Sequence, residues 1–189
     1  TVWPLFQMAS RPGLGVDAYQ ELEWVPPDKF GHVEMQVFRS AFPTPASFEY
    51  LKLLGLRTVI NLSQELPMRA VISFFEEAGA ELSNIGLRVW THPRCASISQ
   101  ELVKNAMSLL LDRAAHPLLL ISASGSHQVG AMVGCLRRLQ GWNLVSIFEE
   151  YRSYATPSPR LAVEQFIELF DADVVSVPPS PPAWFAAQQ

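Results

Sequence analysis

Cysteine is almost absent from these 189 residues: there are two, Cys95 and Cys135, in unrelated contexts. That leaves no disulfide or metal-binding framework to read, and a reducing, cytoplasmic setting is expected. No cofactor and no metal are expected. Basic residues are also few, 14 against 18 acidic, giving a net charge of −4 and a sequence pI near 5.5. Nucleic acid and anionic membrane bound by bulk electrostatics both need a basic footprint, so neither partner is expected. No apolar run approaches the ~20 residues that span a bilayer, and there is no internal repeat. Charge of either sign is sparse at 17%, whereas the hydrophobic fraction reaches 49%. A chain of this size buries roughly 70% of its unfolded surface, so one domain with a full core is expected without disulfides. The start at Thr1, with neither methionine nor a signal-like segment, leads us to expect an excised piece whose targeting information lies outside it.

What is present reads as alternating strands and helices. Residues 1–23 read as an extension, 24–173 as one domain, and 174–189 as a proline-rich tail that is a stiff linker or a disordered exit. Short strands are expected at Phe30–Glu34 and Gln36–Arg39, and a buried strand at Arg57–Leu62. The run Thr44–Gly55 opens on a cap-type Thr with Pro behind it and closes on Gly, the pattern of a helix. Pro67–Ala78 has helical apolar spacing, and Glu81–Trp90 reads as a strand interrupted at Asn84-Ile85-Gly86. Ser99–Ala115 is a helix by the same spacing, Leu118–Ile121 a strand, and Val129–Gln140, Asn143–Ala155 and Ser158–Asp171 are helices. The class is α/β, a central sheet with helices on both faces.

One stretch stands apart, His116-Pro117-Leu118-Leu119-Leu120-Ile121-Ser122-Ala123-Ser124-Gly125-Ser126-His127-Gln128-Val129-Gly130. An apolar strand enters a small-residue loop that opens into a helix. Such a loop aims successive backbone N–H groups at one spot and adds the positive end of a helix dipole. Residues Ser122 to Gly130 are therefore the candidate anion cradle.

Around that loop the chain resembles the plant-and-fungal atypical dual-specificity phosphatases, and most of all the fungal oxidant-induced cell-cycle arrest family. The likeness runs from about Val25 to Asp171. It is carried by Val25-Pro26-Pro27, Phe30-Gly31-His32-Val33, Val37-Phe38-Arg39-Ser40-Ala41-Phe42-Pro43 and Leu56-Arg57-Thr58-Val59-Ile60. After the loop, Val133-Gly134-Cys135-Leu136-Arg137-Arg138-Leu139-Gln140-Gly141-Trp142, Ser146–Arg152 and Gln165–Asp171 extend it. The resemblance implies a cysteine-dependent phosphatase-like fold, and active members act on phosphotyrosine-type or inositol pyrophosphate substrates.

Those members carry His-Cys-x-Arg-Gly-Lys-His-Arg-Thr-Gly in the loop. Here Gly125, His127 and Gly130 match. Ser122 stands at the cysteine place, Gln128 at the arginine place, and Ile121 and Val129 at the flanking His and Thr places. A thiol attacks phosphorus because its pKa can be drawn to ~3.5–7.5, whereas a serine hydroxyl needs a positioned base. The arginine fork holds two phosphoryl oxygens, and losing two charged hydrogen bonds costs about 3–6 kcal/mol. The general acid place falls in Thr91-His92-Pro93-Arg94-Cys95, which has no carboxylate. From these departures we expect a protein that is not an enzyme. It would be a degenerate, phosphatase-like interaction or regulatory subunit whose partners are related phosphatase-like proteins. The alternative is a non-catalytic sensor that weakly binds phosphate or inositol (pyro)phosphate through the loop backbone, and an active phosphatase is the third reading, placed last. His92, Arg94 and Arg160 make up the expected basic rim, while Arg88, Arg137 and Arg138 read as solvated or acid-paired surface arginines.

Overall fold

A computed structural model describes residues 24–89 and 98–188. The sheet has five strands: β1 (Gly31–Glu34), β2 (Val37–Ala41), β3 (Thr58–Asn61), β4 (Glu81–Ser83) and β5 (Leu118–Ser122). Their order is β1-β2-β5-β3-β4. β1 and β2 form an antiparallel hairpin, and every other pairing is parallel. β5 therefore sits in the middle, bonded on one side to β2 (Ser122 opposite Ala41) and on the other to β3 (Ile121 opposite Asn61).

Side chains alternate across the pleat. Leu119 and Ile121, with Phe38 and Val59, face helices α1 (Phe48–Lys52) and α2 (Arg69–Glu77). Leu118 and Leu120, with Val37 and Ile60, face α4 (Gln100–Leu110) and α5 (His127–Leu139). Outside α5 lie α6 (Leu144–Ala155) and α7 (Leu161–Leu169), which close a third apolar cluster on Tyr151 and Ile167. Two glycines let them approach: a Cβ on Gly130 would lie 2.6 Å from the Tyr151 ring, and one on Gly134 2.5 Å from Ile167.

The expected class, a central sheet with helices on both faces, is what forms. Two local expectations do not hold. The strand expected over Glu81–Trp90 stops at Ser83 and gives way to a helix, α3 (Ile85–Val89). Gly86 packs against the backbone of Leu62 and Ser63 so closely that any Cβ would collide, and the chain coils there rather than extending the sheet. The proline-rich tail does not leave the domain. It ends in a short helix, α8 (Ala183–Ala186), whose Phe185 is 1% exposed within the main core. Its Trp184 stacks on His116. Burying two aromatics offsets the entropy of ordering the prolines before them.

Among the described residues no helix is long and apolar enough to cross a membrane, and no group of three metal-ligating side chains occurs.

Candidate functional site: the β5–α5 loop

The central position of β5 places its C-terminal end, and the loop after it, where open α/β sheets bind ligands. Ser122 is fully buried, and its Oγ accepts the Gly125 N–H at 3.0 Å. Gly125 turns the loop with φ +65°, and a Cβ there would lie 2.4 Å from the Ala41 nitrogen. Only glycine fits, for both reasons. Other loop N–H groups are also engaged: Ala123 donates to Ser63 Oγ at 2.7 Å, and Ser126 to Ser124 Oγ at 3.3 Å. The loop thus holds its own shape with small hydroxyls.

The first turn of α5 is different. Ser126 is its N-cap residue and makes no side-chain cap hydrogen bond. The N–H groups of His127, Gln128 and Val129 have no intrahelical acceptor by helix geometry, and the dipole adds to their positive field. Gln128 and His127 are half-buried, while Ile121 and Val129 are buried in the core and face no ligand.

His127 Nδ1 lies 3.0 Å from the Tyr151 hydroxyl, which accepts the Arg160 N–H at 2.9 Å. With one lone pair used by Arg160, the hydroxyl proton can go to Nδ1, which leaves the imidazole proton on Nε2. Burial and then the Arg160 charge hold the His127 imidazole below its usual range, so it is neutral at pH 7. Arg160 therefore borders the loop, exposed at the start of α7. The other two rim residues expected from sequence, His92 and Arg94, lie outside the described residues.

Arg137 is neither surface nor rim. It is 4% exposed, binds Glu150 at 2.9 Å and also Glu34, and donates to Gln140 and the Val33 carbonyl. α5 is covered by β1 and α6 on that side, which the adjacent Arg137-Arg138 pair does not reveal in sequence. Arg88 stays on the surface and donates to Ser83. Cys135 is a core residue, its thiol pushed well above the ordinary range by burial.

Two residues of this region were missed. Ser63, just beyond β3, supports the loop from below. Arg39, on β2, is 1% exposed, lies 3.7 Å over the Tyr154 ring and donates from one Nη to the Gly125 carbonyl at 3.0 Å. Its Nε and other Nη have no hydrogen-bond partner among the described residues. Each such orphan costs about 1–3 kcal/mol. Burial lowers its pKa to about 10, so it remains a cation at neutral pH. The signal available in sequence was an arginine in an otherwise apolar strand.

Chemically, this arrangement can hold a tetrahedral anion at the α5 N-terminus and stabilise charge growing on its oxygens. A hydroxyl, not a thiol, lies at the end of β5.

Comparison with known proteins follows this geometry. Residues 24–188 match the model of the Tyrosine phosphatase family. The chain is 40% identical over 152 residues to a probable tyrosine-protein phosphatase of Dictyostelium discoideum, covering 80% of this chain and 91% of that one. It is 37% identical over 148 residues to an inositol diphosphatase of Arabidopsis thaliana, covering 78% of this chain and 74% of that one. The crystal structure of the core catalytic domain of the PP-IP phosphatase SIW14 from S. cerevisiae, in complex with citrate, superposes with a TM-score of 0.72 at 33% identity. That match covers 79% of this chain and 89% of that one.

These findings overturn the expectation of a degenerate, non-enzymatic subunit, and of a non-catalytic sensor with it: relatives this similar are named as phosphatases and inositol diphosphatases. The expectation rested on the side chains missing from the loop and from the general acid place, and it gave the retained backbone donors too little weight. In hydrolases stripped of catalytic side chains, oxyanion donors and substrate binding alone retain about 10³–10⁴-fold acceleration over water.

Proposed function

This chain belongs to the tyrosine phosphatase family, and we propose that it is a working phosphatase of the atypical dual-specificity branch, acting on inositol diphosphate-type anions at its β5–α5 loop. The observation that carries the proposal is the uncapped first turn of α5 set beside a loop already braced by Ser63, Ser122 and Arg39. Donors positioned before the substrate arrives need no reorganisation when charge builds on phosphorus oxygens. The inositol diphosphatases among its relatives support this substrate class, for which Arg160 supplies rim charge and the loop N–H groups supply donors. Ser122 sits at the attacking position of the family motif, with a hydroxyl whose oxygen already accepts one N–H. A cytoplasmic setting belongs to this proposal, and so does association with a related phosphatase-like chain.

The test is phosphate release from a diphosphoinositol polyphosphate, with a phosphotyrosine peptide in parallel. We expect slow, saturable release that favours the inositol substrate. Release from neither substrate, at enzyme concentrations matching substrate, removes the proposal. Release from the peptide alone reassigns the substrate class.

A further inference from the structure

Arg39 is a buried cation with nothing of opposite charge bound to it among the described residues. Packed between β2 and α6, its guanidinium lies over the Tyr154 ring and spends one N–H on the Gly125 carbonyl. The carboxylate that acts on it through space, Glu150, is held by Nε and an Nη of Arg137 at 2.9 and 3.2 Å. Two guanidinium nitrogens have no partner among the described residues. Packing alone does not account for this, because a neutral residue would fill the space without a desolvated charge.

What lies above Arg39 is the loop itself. The carbonyl it holds belongs to Gly125, whose N–H points to Ser122 Oγ and whose backbone touches β2 at Ala41. Pulling that carbonyl toward β2 keeps its negative end away from the anion side of the loop. The fixed positive charge then lies behind the backbone donors of the cradle.

We propose that Arg39 is the positioning residue of the phosphate site. It turns the Gly125 carbonyl away from the bound phosphoryl group, and it supplies from beneath the loop the cationic charge that Gln128 does not supply from within it. The role rests on the proposed function only in taking the β5–α5 loop as the place where phosphate binds.

Inorganic phosphate is the probe, and two substitutions divide the role. Arg39→Lys keeps the charge; Arg39→Gln keeps a donor for the carbonyl without it. We expect phosphate to bind Arg39→Lys within about threefold of the wild-type affinity and Arg39→Gln about tenfold more weakly, the size of one cation–anion interaction through partly screened protein. A rise in KM for the inositol substrate should follow the same order. Equal phosphate affinity in wild type and a folded Arg39→Gln overturns the proposal, whatever happens to thermal stability. If Arg39→Gln does not fold, the wild-type protein decides by NMR. The Arg39 Nε–H resonance, identified by its loss in Arg39→Lys, should shift as phosphate saturates the site, and an unmoved resonance overturns the proposal. Wild type that binds phosphate without releasing any from substrate refutes the phosphatase function and leaves the role of Arg39 in binding standing.

Discussion

Two arginines are buried on the same face of the sheet, and they are used in opposite ways. Arg137 is saturated: Glu34, Glu150, Gln140 and the Val33 carbonyl take its donors, and it lies over Trp142. It ties β1 to α5 and α6. Arg39 has, among the described residues, a single hydrogen-bond acceptor and an aromatic ring, and it lies under the β5–α5 loop. A buried charge with all its partners is an investment in the fold, because removing one partner strands the others. A buried charge left short of partners costs stability and is kept where it acts on something else. The difference separates the half of the α5 face that holds the domain together from the half we propose binds phosphate.

The largest effect that sharpens this contrast lies on the loop side. If the scaffold is competent and its rate is limited by side-chain chemistry, Ser122→Cys combined with Gln128→Arg should raise phosphate release by about 10²–10⁴-fold. A steady-state assay reads it directly. No gain would mean that the loop backbone is not poised for phosphoryl transfer, and the division between the two regions would lose its functional side.

Next comes the structural side. Arg137→Met leaves Glu34 and Glu150 facing each other without their cation, and it should cost about 3 kcal/mol, or a fall of roughly 6–12 °C in thermal midpoint. Phosphate release per folded molecule should be unchanged. A loss of turnover without a loss of stability would invert the assignment of the two arginines.

The smallest effect concerns pH. His127 is held below its usual range by burial and by Arg160, so the unfolded chain binds more protons there as pH falls. The stability it contributes is complete above the unfolded value of about 6.5 and is lost as pH drops through the lower folded value. Between pH 7.5 and 5.5, His127→Gln should therefore lose less thermal midpoint than wild type, by about 1–2 °C. An equal loss in both would show that burial and Arg160 do not hold the imidazole below its usual range.

The sequence revealed the loop and its place after a buried strand, because strand, small residues and helix are contiguous there. It also revealed the α/β class, through apolar spacing that changes period from segment to segment. Arg39 and Ser63 were not legible, since each reaches the loop across the sheet from a strand distant in sequence. Arg137 is acid-paired, as one branch of its reading had it, but it is buried rather than on the surface: α5 is covered by β1 and α6 as well as by the sheet, and a helix surrounded on several sides has no polar face to betray it. The tail was misread because proline content speaks for local stiffness and says nothing of Phe185 and Trp184 finding the core. The functional misjudgement was of another kind. The loop's backbone donors were legible, but the missing catalytic side chains were given more weight than they carry.

The most direct measurement is phosphate release from a diphosphoinositol polyphosphate under single-turnover conditions, comparing wild type with Gln128→Glu. That substitution places a carboxylate in the first turn of α5, where a helix tolerates it well and a phosphoryl group does not. Release by wild type that falls at least about tenfold in the folded variant is the predicted result. No release by wild type, or equal release by both, would contradict a phosphatase working at this loop.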